Sequence, residues 1–169
     1  MNQSHHLYKS HNVNLLLYHI VFLTLQQHLT GLGRCPAKYR KVIFTPEVET
    51  EIKEACKFIE ETYEIVFLEI GADQDHVHFL VQSVPMYSPT QIVTTIKSIT
   101  ARWAFNQIKD LKKRLWGGKF WSSGYYICTV GKHGSESTIA NYVRNQGKSG
   151  GEYRQLLVVQ ESLFGDQGS

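Results

Sequence analysis

Asp75-His76-Val77-His78-Phe79-Leu80 opens an apolar run that continues to Val84 and reads as a β-strand. Residues 64–70 (Glu64-Ile65-Val66-Phe67-Leu68-Glu69-Ile70) form a second such run just upstream, and residues 71–75 connect the two tightly. Two β-prone runs so joined predict an antiparallel hairpin. Side chains two apart on a strand leave from the same face, so His76 and His78 point side by side, close enough to hold one divalent ion.

Working outward, residues 13–24 are apolar and β-prone, a strand for the middle of a sheet. Residues 26–37 are polar, carry Gly31, Gly33 and Pro36, and read as a loop. Thr45-Pro46 supplies an N-cap and a first-turn proline. Val48, Ile52, Ala55, Cys56, Ile59 and Tyr63 then recur at helical spacing. Ser88-Pro89 repeats the signal for a second helix, with Ile92, Ile96, Ile99 and Trp103 on its buried stripe and Ser98, Arg102, Asn106 and Lys109 on the other side. Residues 120–130 are aromatic and β-branched, a fourth strand; Gly131 to Gly134 break it, and Ser135 or Ser137 caps a short helix through Asn145. The order strand, helix, strand, strand, helix, strand predicts an α+β fold, a ferredoxin-like antiparallel sheet with helices on one face.

With 169 residues, 42% of them hydrophobic and 20% charged, the chain fits a single globular domain. The net charge of +3 permits nucleic-acid binding without arguing for it. Basic residues do cluster at 38–41 and 109–119, and taken alone such runs are better explained as a solvated helix end or loop. Cys35, Cys56 and Cys128 are scattered and odd in number, which suits reduced thiols better than a disulfide framework or a zinc site. There is no signal-peptide pattern, and no apolar run reaches the ~20 residues needed to cross a bilayer. The expectation is a cytoplasmic protein with no membrane partner.

Tyr142-Val143-Arg144-Asn145-Gln146 places a phenol and an amide four residues apart, on one face of the expected helix. Singly, neither motif is diagnostic: a His-x-His pair on a strand more often reflects packing, and Tyr with Gln one turn on is commonplace.

Together, and in order, they resemble the small HUH-type single-tyrosine transposases that move insertion sequences as single-stranded DNA. The resemblance spans about residues 13–148. Residues 18–22 (Tyr18-His19-Ile20-Val21-Phe22) look like that family's first strand and residues 38–44 like its following basic segment. Residues 75–80 match its histidine motif, 116–121 and 124–131 the stretch before the catalytic helix, and 142–146 its Tyr-x-x-x-Gln motif.

The resemblance implies an HUH endonuclease fold, with Tyr142 as nucleophile and His76, His78 and Gln146 as ligands of Mg²⁺ or Mn²⁺. It implies cleavage and rejoining of hairpin-bearing single-stranded DNA through a 5′-phosphotyrosine. It also implies a homodimer in which the Tyr142 helix completes the partner's active site. Lys38, Arg40, Arg102, Lys119 and Trp121 are candidate DNA contacts, since bases stack on aromatics and cations follow phosphates. Tyr125 and Tyr126 are rival phenols without a Gln one turn on; as strand neighbours, one should pack inward and one outward, as core filling or as base-stacking platforms. His19 and His133 are expected to be structural or incidental.

The chain departs from the family in two places. Residues 25–37 are an insertion of roughly a dozen residues, cheap in a surface loop because closure entropy grows slowly with length. Residues 151–169 extend beyond the expected domain of residues 1–150; 153–159 are apolar enough to pack as strand or helix, on a dimer partner for example. Alternative readings are a domesticated relative acting on chromosomal palindromes with the same chemistry, and a non-catalytic nucleic-acid-binding ferredoxin-like module.

Overall fold

The computed structural model describes residues 7–9, 12–14, 16–24, 44–72, 76–130 and 154–158. Both cap-and-proline signals start helices. In α1, Pro46–Thr62, the Thr45 hydroxyl accepts the Val48 N–H and proline occupies the first turn. In α2, Pro89–Gln107, the Ser88 hydroxyl accepts the Gln91 N–H at 3.2 Å while the Gln91 amide oxygen accepts the Ser88 N–H at 2.8 Å. This reciprocal capping satisfies two amides that the first helical turn leaves open.

The strands are β1 (Leu7–Lys9), β2 (Asn12–Asn14), β3 (Leu16–Thr24), β4 (Ile65–Ala72), β5 (His76–Ser83), β6 (Trp121–Val130) and β7 (Arg154–Val158). β1 and β2 pair as a separate small ribbon; the others form one antiparallel sheet in the order β6-β3-β5-β4-β7. Without β7, the succession β3-α1-β4-β5-α2-β6 in the spatial order β6-β3-β5-β4 is the expected ferredoxin-like α+β arrangement. The 64–84 hairpin forms as read, Phe79 opposite Ile70 and Val77 opposite Ala72. A short helix α3, Leu111–Arg114, and a 3-10 turn at Trp116–Gly118 lead into β6. Gly117 and Gly118 have φ of 59° and 64° there, a backbone region that a side chain would strain.

Alternation along each strand separates two faces. Ile20, Phe22, Phe67, Ile70, Phe79 and Val81 turn toward the helices and pack with Val48, Ile52, Ile59, Ile92 and Ile96 in one core. Leu17, Leu68, Leu80 and Val130 form a smaller cluster on the opposite face. A bulge in β4 between Phe67 and Glu69 shifts the register, and the Phe67 N–H there donates to the Glu60 carboxylate of α1 at 2.6 Å. Residues 151–169 were read as lying beyond the domain. Within them β7 adds itself to the chain's own sheet, pairing with β4 with Glu69 opposite Val158.

Cys56 is buried and Cys128 half-buried, both as free thiols. Among the described residues no helix is long and apolar enough to cross a membrane.

Candidate metal centre

The strand that carries His76 and His78 sends Val77, Phe79 and Val81 into the helix-side core, and its two-residue period sends both imidazoles to the other face. His78 is buried, His76 half-buried, and their ring centroids lie 6.4 Å apart with 30° between planes. The sequence reading of two imidazoles side by side is thus realised in the fold.

Strand β3 brings a third. His19 stands opposite Leu80, and His78 opposite Val21, so His19 and His78 are diagonal neighbours on one face, within reach of long or aromatic side chains. Nε2 of His19 lies 3.3 Å from Nδ1 of His78, with the ring centroids 5.6 Å apart and the planes within 12° of parallel, so the rings meet edge to edge. Burial pushes the His19 pKa down, favouring its neutral form. His19 was expected to be structural or incidental; it is buried and in direct contact with His78. No local signal reveals this, because the contact spans 59 residues and exists only once the β3–β5 register is set.

From the next strand, Tyr126 stands opposite Val21 and approaches His19 edge-on at 6.1 Å. Four rings from three adjacent strands, Tyr126, His19, His78 and His76, thus run across one sheet face. Opposite His78 on β4 is Gly71, which brings no side chain.

Tyr125 and Tyr126 are 43% and 54% exposed, so neither fills the core, against the expectation that one would. The neighbouring aromatic behaves oppositely. Trp121 was expected to contact DNA, but it is 7% exposed, in the core with Phe22 and Phe120. A buried indole offers no face to a base, and that role is withdrawn.

Arg102 is exposed on α2, its Nε donating to the Ser98 carbonyl at 3.2 Å. It belongs to the helix layer, whereas the histidines lie on the other sheet face, so the fold does not bring the two together. Lys119 is exposed just before β6, and Lys112, Lys113 and Arg114 are exposed on α3. Lys97 escaped the sequence reading. Its ammonium donates to the Ser122 and Gly124 carbonyls at 2.9 and 2.7 Å and stands 5.0 Å over the Phe22 ring and 5.3 Å over that of Tyr125. It ties α2 to the first residues of β6, and burial lowers its pKa.

Tyr142, Gln146, Lys38, Arg40 and His133 lie outside the described residues, as do residues 25–37 and the expected helix ending at Asn145. Among the described residues no three His, Cys, Asp or Glu side chains group as a metal site. Two imidazoles on one face fit a divalent ion and leave further positions for oxygen ligands.

Comparison with known proteins decides the family. The model of the IS200-like transposases matches residues 34–146, well over half of the chain. This chain belongs to the IS200-like transposase family. The ISDra2 transposase TnpA of Deinococcus radiodurans is 31% identical over 111 residues, covering 64% of this chain and 77% of the relative. The transposase of insertion sequence IS200 from Salmonella typhimurium is 28% identical over 129 residues, 76% and 75% of the two chains. A crystal structure of a Deinococcus radiodurans protein assigned as a transposase superimposes with a TM-score of 0.58 at 26% identity, covering 82% of this chain and 96% of that one. The family model takes in His76 and His78 as well as Tyr142 and Gln146, while β3, with His19, lies before its first matched residue.

Proposed function

We propose that this IS200-like transposase cuts and rejoins single-stranded DNA at hairpin-bearing element ends through a 5′-phosphotyrosine on Tyr142. The observation that carries the proposal is the pair His76 and His78, set side by side on one sheet face in a chain of this family.

The Tyr142 phenol oxygen attacks the scissile phosphorus, and the bond from phosphorus to the 3′ oxygen breaks. The phenol gives up its proton, and the departing 3′ oxygen takes one up, leaving a free 3′-hydroxyl. The phosphotyrosine bond keeps the energy of the broken phosphodiester, so a 3′-hydroxyl rejoins the strand by the reverse attack with no external energy source. His76, His78 and Gln146 would hold a divalent ion, Mg²⁺ or Mn²⁺, whose positive charge would offset the negative charge that builds on the scissile phosphate.

Tyr126, exposed beside His19, offers an unpaired base a stacking surface close to the histidines. The exposed lysines and arginine of α3, with Lys119 and, on the proposed reading, Lys38 and Arg40, follow the phosphates. The active unit is a homodimer in which each chain's Tyr142 helix completes its partner's site.

The test incubates the protein with oligonucleotides from the DNA flanking its gene, as hairpin-bearing single strands and as full duplexes, with Mn²⁺ or with a chelator. Cleavage of the single strand alone, requiring Mn²⁺ and abolished by His78→Ala, is expected. Cleavage that survives the chelator, or binding with no cleavage in Mn²⁺, contradicts the proposal.

A further inference from the structure

We propose that His19 is the positioning residue of the metal centre: its Nε2 accepts the Nδ1–H of His78 and so fixes the orientation and tautomer in which His78 presents Nε2 to the ion. The inference rests on the reading of His76 and His78 as ligands.

A neutral imidazole has one N–H and one lone pair. Nδ1 of His78 lies 3.3 Å from Nε2 of His19, and two bare lone pairs facing each other at that distance would repel, so one nitrogen carries the hydrogen. An ion taking His78 must do so through Nε2, because Nδ1 faces the neighbouring ring. The His78 hydrogen is then on Nδ1, His19 accepts it, and His19 keeps its own hydrogen on Nδ1. A ligating histidine that donates its second N–H to a fixed acceptor is a stronger and better oriented ligand, and loss of such a partner typically weakens metal affinity by roughly 10–100-fold.

The acceptor is rigid. His19 sits mid-strand in β3, buried and paired on both sides, opposite Leu80 of β5 and Cys128 of β6. Its ring lies nearly parallel to that of His78, at 12°, so the sheet's register sets the contact.

The test titrates the full-length protein with Mn²⁺ and follows the loss of the free-ion electron paramagnetic resonance signal, so the readout is independent of DNA cleavage. Four proteins are compared: wild type, His78→Ala, His19→Phe and His19→Gln. Phenylalanine keeps an aromatic ring and removes the acceptor; glutamine offers an amide oxygen in place of Nε2. The expected result is a roughly 10–100-fold weaker affinity for His19→Phe, recovery toward wild type for His19→Gln, and loss of binding for His78→Ala. Unchanged affinity in His19→Phe while His78→Ala loses binding overturns the role of His19 and leaves the ligand reading standing. Equal binding by wild type and His78→Ala sinks the ligand reading and the role of His19 with it.

Nitrogen-15 spectra of the wild-type histidine rings with Mg²⁺ added supply a test that needs no variant to fold. Both His19 and His78 protonated on Nδ1 is the predicted pattern, and a hydrogen on Nε2 of His19 contradicts it.

Discussion

The indole N–H of Trp121 donates to the Thr100 hydroxyl across 3.0 Å, and that hydroxyl donates in turn to the Ile96 carbonyl at 2.7 Å. The first residue of β6 is thereby fastened under α2, inside the core. Trp121→Phe removes one buried hydrogen bond and part of a ring, and is expected to destabilise the fold by about 1–3 kcal/mol. Urea denaturation measures this. Affinity of the folded variant for single-stranded DNA should match wild type; a weaker affinity at unchanged stability would return Trp121 to the DNA surface.

Tyr126 predicts the converse. More than half exposed and edge-on to His19, it contributes little to the core, so Tyr126→Ala should shift stability by no more than about 0.5 kcal/mol. Loss of a base-stacking surface is worth about 1–3 kcal/mol, and fluorescence anisotropy with a single-stranded hairpin should show at least a fivefold weaker Kd. Unchanged affinity would remove Tyr126 from the DNA path.

Burial, and behind it the Glu60 carboxylate, push the Cys56 thiol well above the usual range. In the folded chain this thiol keeps its proton, whereas in the unfolded chain it ionises near pH ~8.5. The native state thus holds more protons above that pH, and stability falls as pH rises. The stability gap between wild type and Cys56→Ser, read from urea midpoints, should narrow from pH 7 to pH 10. A constant gap would contradict it.

The proposed sharing of the active site between two chains predicts complementation. His76→Ala chains lack a ligand and Tyr142→Phe chains lack the nucleophile, so each alone should be inactive. Mixed, they form heterodimers in which one composite site has both parts, and partial cleavage should return. A mixture as silent as its components would place Tyr142 and the histidines of a single site on one chain.

Local signals carried much of this fold. Thr45-Pro46 and Ser88-Pro89 started both long helices, because a cap and a first-turn proline act within four residues. The two-residue period put His76 and His78 on one face for the same reason. What depended on register was not legible. His19 meets His78 only through the β3–β5 pairing, and Trp121 turns inward because α2 presents the Thr100 hydroxyl to it. Lys97 fastens carbonyls more than twenty residues away in sequence. The pairing of Arg154–Val158 with β4 joins strands separated by most of the chain, and an apolar run alone does not name its partner.

The tyrosine linkage is tested by a denaturing gel of the protein incubated with labelled hairpin DNA and Mn²⁺. A band carrying label at the mass of protein plus DNA, absent without metal and absent in Tyr142→Phe, is the predicted result. An adduct that persists in Tyr142→Phe would assign the nucleophile elsewhere, and cleavage with no adduct at all would contradict the phosphotyrosine chemistry itself.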